Sequence, residues 1–486
     1  MGRKLITLLY LVLALPAFGQ VNELKPLNCT QVMAWLAGNM SSQRIVRMAQ
    51  EHGIDFKMDV ATWNLLLSAG AQPHLLRSLR ELSPMQSTEN ASGCPESLAQ
   101  AAGLIRQKKN DEAEPILQKL IDRDPDNSAL RFALGYLHQQ ETEWDAAFDA
   151  YLESRDRMPG LSDVHSRLAY VFYQYEDGDN AIAEARTALS IDPKNSEAYR
   201  YLGLALSSNG RYEAALHAFQ QSLARDPRNA EVYYDMGICL HETGDMNAAA
   251  AAYRRAIALD PQLWEAHNNL GMLLHDLGKR EAAIAQYRQA KQIAPGEAIV
   301  RYNLGNTYCD NGAYDSAIAE LQDLFRKHPG WQRGHDCLAK GLMAKHQYPA
   351  AISELRLAIL ANPTGAAEHR VLGQALLVTH QRQEAIRELR IAVQLSPDSA
   401  LAHHYLGTAL FDARDLQAAE AEFRESLRLE STADNHYYLA ACLVSMGRYN
   451  DALSELDAAA SLKPEQNLYR TRKQDLLKLI RTSSSR

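Results

Sequence analysis

Small and bulky apolar residues recur along the chain in columns that repeat every 34 residues. Prolines set the register: they follow one another at this interval from Pro125 to Pro397, and each is placed at position 32 of its repeat. In this register position 20 is alanine in eleven repeats, position 8 is glycine or alanine, and position 7 is almost always leucine. Small residues at two fixed positions let two helices approach closely, so the pattern predicts a crossing helix pair in every repeat.

Turn signals lie where such a helix pair needs them. Position 15 is glycine in five repeats, from Gly210 to Gly447, and glycine tolerates the left-handed backbone that ends a helix. The proline at position 32 lacks an N–H and ends the second helix. Each 34-residue unit is therefore predicted to be an antiparallel helix pair.

The columns resemble the tetratricopeptide repeat. One repeat shows the matching residues in order: Tyr199, Leu202, Gly203, Ala215, Phe219, Ser222 and Pro227. The resemblance covers residues 94–464, and it implies an all-α, right-handed superhelical solenoid of about eleven helix pairs over residues 97–464. Pro464 follows Pro397 by 67 residues, one short of two periods, which predicts a shortened junction before the last repeat.

Three segments flank the array. Residues 26–83 show four short helical patterns and predict a small helical module, which resembles a module found ahead of such repeats in exported bacterial proteins, particularly of acidobacteria. Residues 84–96 are rich in Ser, Pro, Gly and Asn and are predicted to be a linker. Residues 465–482 predict a helix that caps the last hydrophobic face of the solenoid, although its basic residues also suit an anionic surface.

Residues 1–19 have the three parts of a secretory signal peptide. Arg3 and Lys4 precede an apolar run, and Ala17 and Gly19 provide a small-residue exit, so we expect cleavage before Gln20 and export to the periplasm or beyond the cell. The apolar run is too short to span a bilayer, so no integral membrane segment is expected in the mature chain. An uncleaved interfacial anchor is the alternative.

The charge balance argues against a nucleic-acid partner. The chain carries 51 Lys and Arg against 59 Asp and Glu, a net charge of -8, and removal of the leader makes it -10. Such a surface repels phosphate backbones. Of the six cysteines, Cys29 and Cys94 bracket the N-terminal module; in an oxidising compartment they either form a disulfide or remain two free thiols.

The pattern offers no catalytic site. The recurring histidines all occupy position 4, where the family has an aromatic residue, and we interpret them as packing residues rather than metal ligands. They are His165, His267, His335, His369, His403 and His436. The zinc-protease motif HExxH, the GxSxG elbow, the P-loop and the dinucleotide fingerprint do not occur. We therefore expect no enzyme activity, no cofactor and no metal.

The resemblance implies a binding groove instead. In this family the first helices of successive repeats line a concave face, and positions 5, 9 and 12 point into it. The candidate groove residues are Phe132, Tyr136, Tyr170, Tyr173, Arg200, Tyr234, Asn268, His275, Tyr302, Asn306, Lys340 and Arg370. Tyrosines and amides suit an extended protein or peptide. A solvated face with scattered aromatic residues is the alternative.

The favoured hypothesis is a non-enzymatic scaffold of the cell envelope that binds a protein or peptide in this groove. The second hypothesis is a structural protein that self-assembles through its convex face, which makes a homo-oligomer possible.

Overall fold

A computed structural model describes residues 25–82 and 93–484 of the chain. The predicted leader 1–19 and most of the linker 84–96 lie outside the described residues. Within the described ranges the chain forms 27 helices, and one isolated bridge pairs Leu27 with Ile54. The helices belong to two compact units, Met1–Asp245 and Met246–Arg486. The prediction of an all-α solenoid of helix pairs is confirmed.

The first unit holds the N-terminal module and the first part of the array. The module consists of α1 Cys29–Ala37, α2 Ser42–His52, α3 Val60–Ser68 and α4 Pro73–Leu82. The array begins with α5 Glu96–Arg106, α6 Asn110–Arg123, α7 Ser128–Gln140, α8 Trp144–Arg157, α9 Ser162–Gln174, α10 Gly178–Ile191, α11 Ser196–Ser208, α12 Tyr212–Arg225 and α13 Ala230–Glu242. Within this unit α7, α9 and α11 each pack on the second helix of their own repeat and on that of the repeat before, and α13 packs on α12.

The second unit continues the array and ends with the cap. Its helices are α14 Met246–Leu259, α15 Trp264–Asp276, α16 Arg280–Ile293, α17 Ala298–Asp310, α18 Tyr314–Lys327, α19 His335–Ala344, α20 Tyr348–Ala361, α21 Ala366–Val378, α22 Arg382–Leu395, α23 Ala400–Asp412, α24 Leu416–Leu429, α25 Ala433–Ser445, α26 Tyr449–Leu462 and α27 Asn467–Ser484. The last of these, α27, packs on α26 as a capping helix. The loop between α24 and α25 is one residue shorter than the loop between α22 and α23, at the junction where the sequence lacks one residue.

The small residue at position 8 makes the crossing of each helix pair possible. A Cβ atom added to Gly203 in α11 would lie 2.5 Å from the ring of Phe219 in α12. Gly271 and Tyr287 repeat this contact in the second unit, where the added atom would lie 2.8 Å from the ring. Real Cβ contacts are longer than this, so a side chain at position 8 of these two repeats would displace the facing ring.

Position 15 adopts a left-handed backbone in all eleven repeats, whether or not it is glycine. Gly278 has a φ of 71°, and Thr142, a β-branched residue, has a φ of 60° at the same place. The residues other than glycine at this position are Lys108, Thr142, Glu176, His346, His380 and Arg414. The turn imposes the angle, since the N–H of Arg211 must reach back to the carbonyl of Leu206 at 2.8 Å to close the first helix.

The histidines at position 4 lie inside the helix pairs. In His165 the Nδ1 atom lies 2.6 Å from a carboxylate oxygen of Glu184, and Nε2 lies 3.1 Å from the carbonyl oxygen of Pro159. The same two contacts recur at His369 and His403, each with a glutamate 19 residues further on. These side chains therefore tie the second helix and the preceding proline turn to the first helix.

Candidate functional site

The N-terminal module lies on the first helices of the array. Its helix α1 packs against α5 and α7, and α3 packs against α5. Trp35 of α1 is fully buried in the same hydrophobic core as Phe132 of α7 and Tyr151 of α8. The module and the first repeats therefore share one core, and the module covers the face that the first helices of these repeats would otherwise present.

This arrangement changes the role of Phe132. The sequence placed Phe132 in an open groove, but the residue is fully buried, and Gly38 at the end of α1 lies directly on its ring. The ring also packs against Tyr151 at 5.7 Å between centroids. Phe132 is therefore a core residue. Tyr136, one helical turn later, is half-buried and borders a small pocket that Met40 of the module also lines.

Ion pairs extend the contact of the module to the third repeat. Arg44 of α2 lies 3.0 Å from Asp163 at the start of α9 and 3.1 Å from Asp192 after α10. Arg47 reaches Asp192 at 2.8 Å. Arg44 and both carboxylates are largely buried, and the removal of one partner from a buried ion pair is far more costly than the loss of a surface pair. These contacts therefore orient the module on the array.

A disulfide joins Cys29 of α1 to Cys94, which lies just before α5. The two Cα atoms are 5.2 Å apart. The other four cysteines are buried free thiols. The disulfide therefore links the start of the module to the start of the array.

Four candidate groove residues come together in the first unit. Tyr170 and Tyr173 of α9, Arg200 of α11 and Tyr234 of α13 line one pocket of about 440 Å³. We call it the tyrosine pocket. Its full lining is Tyr170, Tyr173, Gln174, Arg200, Leu204, Ser207, Ser208, Tyr212, Phe219, Tyr234, Asp235, Ile238 and Glu242. The lining includes positions 9 and 12 of α9, positions 5, 9 and 12 of α11, and positions 5 and 9 of α13, which recur because one 34-residue period separates these helices.

Aromatic contacts hold the wall of the tyrosine pocket in place. The ring of Tyr170 stacks on Tyr173 at 6.2 Å, packs on Tyr201 at 4.9 Å and meets the edge of Trp144 at 5.9 Å. Burial raises the pKa of both Tyr170 and Tyr173, so both phenols stay neutral. A wall of rings that are already packed against one another loses little conformational freedom when a ligand binds.

Arg200, the cation in the lining of the tyrosine pocket, forms ion pairs with two carboxylates. The Nε atom of Arg200 donates to a carboxylate oxygen of Asp235 at 2.6 Å, and the same guanidinium also donates to Glu231. Asp235 is almost completely buried, and this burial raises its pKa although Arg200 opposes the shift. The guanidinium of Arg200 is therefore committed to these two carboxylates.

In the second unit, Lys340 of α19 and Arg370 of α21 line a pocket of about 640 Å³ together with Asp336 and Glu368. The two cations and the two carboxylates of this lining balance in charge.

The remaining candidate groove residues have partners within the array or lie partly buried. Asn303 donates to Asn268 at 3.0 Å, His275 lies 3.0 Å from Asp310, Arg333 covers the ring of Tyr302 at 4.4 Å, and Asn306 is half-buried.

The sequence did not predict an apolar cleft at the end of the array. Phe411 of α23, Tyr437 and Val444 of α25, and Leu479 of α27 line about 500 Å³. Phe411, Tyr437 and Val444 occupy position 5 or 12 of their repeats, so the 34-residue register alone could have identified these three residues. Leu479 belongs to the capping helix and lies outside this register.

One group of potential metal ligands occurs in the described part of the chain. Atoms of His138, Glu141 and Glu143 lie within 4.8 Å of one another at the turn of the second repeat. The Nδ1 atom of His138 lies 2.8 Å from a carboxylate oxygen of Glu143. A hydrogen bond between these side chains accounts for the arrangement.

Within the described ranges, every helix is too short or too polar to cross a membrane.

Stacked helix pairs with a lined face define a helical repeat protein of the solenoid class. Three models of the tetratricopeptide repeat match the chain, at residues 98–161, 184–341 and 370–467 taken together. The chain belongs to the tetratricopeptide repeat family.

Two curated relatives are similar to part of the chain. Small glutamine-rich tetratricopeptide repeat-containing protein 2 of Mycosarcoma maydis is 40% identical over 78 residues, which are 16% of this chain and 22% of that protein. The protein of the same name from Saccharomyces cerevisiae is 26% identical over 126 residues, 25% of this chain and 36% of that protein. The match thus spans between about a fifth and about a third of the length of these relatives.

Solved structures are also similar. The APC/C hetero-tetramer Cut9-Hcn1 matches at 15% identity and a TM-score of 0.41, over 79% of this chain and 89% of that one. YrrB, described as a TPR protein with an unusual peptide-binding site, matches at 22% identity and a TM-score of 0.32, over 41% of this chain and 99% of that one.

Proposed function

We propose that this protein is a non-enzymatic scaffold that binds an extended segment of a partner protein along the first helices of its repeats. The tyrosine pocket carries this proposal, because it places three half-buried tyrosines from two first helices around one open space. Tyrosine supplies a large contact area at low entropic cost and dominates the energetics of many interfaces.

The first repeats are not part of the proposed binding surface. The module covers them, and Phe132 is buried beneath it. The proposed surface of the first unit therefore begins with Tyr170 in α9. A partner segment that enters the tyrosine pocket crosses α9, α11 and α13 in turn.

We further propose that the protein acts in the cell envelope. The leader at residues 1–19 is the sequence observation behind this proposal, and the disulfide between Cys29 and Cys94 supports it, because such bonds persist in oxidising compartments. Intact-mass measurement of the protein from its native host should give a chain that begins at Gln20. Full-length protein recovered from the cytosol would contradict the proposal.

A library of random dodecapeptides displayed on phage tests the binding function directly. Tyr173→Ala combined with Tyr234→Ala removes two rings of the tyrosine pocket, and it avoids Tyr170, which packs on three other rings. We expect the wild-type chain to select peptides that the double variant binds at least about tenfold more weakly, roughly 1.4 kcal/mol. Circular dichroism should be unchanged. Failure to select any peptide, or equal binding by the double variant, would refute the groove function.

Exposed leucines favour one alternative. Leu357 and Leu360 on the second helix of the eighth repeat are 45% and 78% exposed. These residues suit self-association through the convex face. Gel filtration with light scattering separates the two functions: a stable oligomer that Leu357→Ser with Leu360→Ser converts to a monomer would support self-assembly.

A further inference from the structure

We infer that the tyrosine pocket receives a cationic side chain, arginine or lysine, from the bound protein segment. This inference rests on the proposed function and adds the chemistry of the ligand. Two independent features of the pocket carry it: the aromatic composition of its walls and its excess of negative charge.

The walls suit a cation because four tyrosines line the pocket. Tyr170, Tyr173, Tyr212 and Tyr234 are each half-buried, so each keeps part of its surface accessible. The face of an aromatic ring carries the negative part of its quadrupole and attracts an ammonium or guanidinium group within about 6 Å. The protein already uses this interaction elsewhere, since the guanidinium of Arg225 lies 4.2 Å from the centre of the Tyr199 ring.

The charges favour a cation for a separate reason. Arg200 is the cation among the lining residues, and its guanidinium bonds to both Asp235 and Glu231. Besides Asp235, the lining contains a second carboxylate, Glu242, which is exposed at the rim. Two lining carboxylates against one lining guanidinium leave the pocket with an excess of negative charge.

The burial of Asp235 points the same way. Only 6% of this residue is exposed, and burial raises its pKa in spite of the ion pair with Arg200. One guanidinium shared between two carboxylates therefore leaves part of the desolvation cost of Asp235 uncompensated. A second cation in the pocket would interact favourably with this carboxylate and with Glu242, whereas an anionic side chain would be repelled by both.

The pocket around Lys340 and Arg370 in the second unit provides a matched comparison. It also lies on first helices, but its lining includes Asp336 and Glu368 as well as the two cations. Its charges balance, so we expect no preference for a cationic side chain there.

Peptides selected from the displayed dodecapeptide library test the inference on the full chain. We expect the selected sequences to share an arginine or a lysine at one position. Synthetic peptides then replace that arginine with citrulline, which has the same shape without the charge, or that lysine with acetyl-lysine. Calorimetric titration should show at least a tenfold weaker affinity for the neutral peptide.

Two variants locate the effect. Tyr173→Leu keeps an apolar side chain and removes the phenol ring, and Glu242→Gln removes the rim charge. Each variant should reduce the ratio of affinities between the charged and the neutral peptide at least threefold. Asp336→Asn, the control in the balanced pocket, should leave the ratio unchanged. Peptides that bind in a tyrosine-dependent way but tolerate citrulline within twofold would overturn the inference and leave the groove function intact. Absence of peptide binding would overturn both.

Discussion

Gly38 of the module lies directly on the ring of Phe132: a Cβ atom added to Gly38 would lie 2.5 Å from Cδ1 of that ring. The φ angle of Gly38 is -78°, which any residue can adopt, so this glycine is required by the close approach and not by the backbone. The contact joins the N-terminal module to a first helix of the array. It therefore marks where the module covers the first helices, and the proposed binding surface begins beyond it.

The first prediction concerns this contact. Gly38→Ala forces a methyl group against a fully buried aromatic ring, and overpacking of this kind costs about 1–3 kcal/mol. We expect faster amide hydrogen exchange in α1 and α7, with α11 and α12 unaffected because repeat arrays transmit damage mainly to neighbours.

Gly103→Ala is the matched control. An added Cβ atom at Gly103 in α5 meets no other atom within 4 Å, and alanine is the better helix former by about 1 kcal/mol. The control should leave exchange unchanged or slow it. Equal protection in Gly38→Ala and the wild type would show that the module does not pack on Phe132.

The second prediction concerns the disulfide. Cys29 and Cys94 are separated by 65 residues, and a closed loop of this length stabilises by about 4 kcal/mol in the chain-entropy account. Reduction should therefore increase hydrogen exchange in α1 to α4 while helices from α11 onward stay protected. Cys29→Ala with Cys94→Ala should show the increased exchange without reductant and no further response to it. A module that keeps its protection after complete reduction would contradict the prediction.

The sequence predicts the array well because each repeat is built from local contacts. Gly203 and Phe219 are 16 residues apart, and the same pair of positions recurs every 34 residues, so the pattern repeats often enough to be recognised. The contacts between His165 and Glu184 recur in the same way. A search for glutamates 19 residues after the position 4 histidines would have found them.

The position of the module could not be predicted in this way. Arg44 and Asp163 are 119 residues apart, and Arg47 and Asp192 are 145 apart. Each contact occurs once, so no repeated column marks it. The resemblance that placed Phe132 in a groove assumed bare first helices, and the assumption fails where another segment of the chain packs on them.

The third prediction concerns the left-handed turns at position 15. Thr142 has a φ of 60°, and a β-branched residue in this region is strained by roughly 1–2 kcal/mol. Thr142→Gly should remove this strain and raise the denaturant concentration needed to unfold the first repeats. Part of the gain is offset, because glycine is more flexible in the unfolded chain.

Gly278→Ala makes the opposite change at the same position of another repeat, where φ is 71°. It should destabilise the sixth repeat by about 1 kcal/mol or more. Urea unfolding followed by circular dichroism measures both variants. If both substitutions move the urea midpoint of unfolding in the same direction, the backbone angle at position 15 is not the source of strain.

The last prediction concerns the attachment of the capping helix α27. The hydroxyl of Tyr469 in α27 donates to a carboxylate oxygen of Asp434 in α25 at 2.8 Å, and Tyr469 is 1% exposed. This hydrogen bond is the main reason why the pKa of Asp434 lies below its ordinary value of 3.8. Burial, followed by the bond to Asp434, raises the pKa of Tyr469 from 10.0 to about 12.

The two shifts set a pH window for the cap. A carboxylate whose pKa is lowered by folding stabilises the folded form at pH values above its pKa in the unfolded chain, and this stabilisation is lost as the pH falls. Protonation of Asp434 below about pH 4 should therefore release the cap. A phenol whose pKa is raised by folding stabilises the folded form at pH values below its pKa in the unfolded chain. Ionisation of Tyr469 should therefore release the cap as the pH rises from 10.0 towards about 12. We expect hydrogen exchange in α27 to accelerate at both limits before the rest of the second unit opens.

Tyr469→Phe separates the bond from the packing of the ring. It removes one hydrogen bond to a charged group, worth about 1.5–3 kcal/mol, and leaves the aromatic contact with Tyr437. The variant should weaken the cap at neutral pH and abolish the alkaline transition of α27, because the titrating phenol is gone. An alkaline transition that persists in Tyr469→Phe would assign it to another group and contradict this account of the cap.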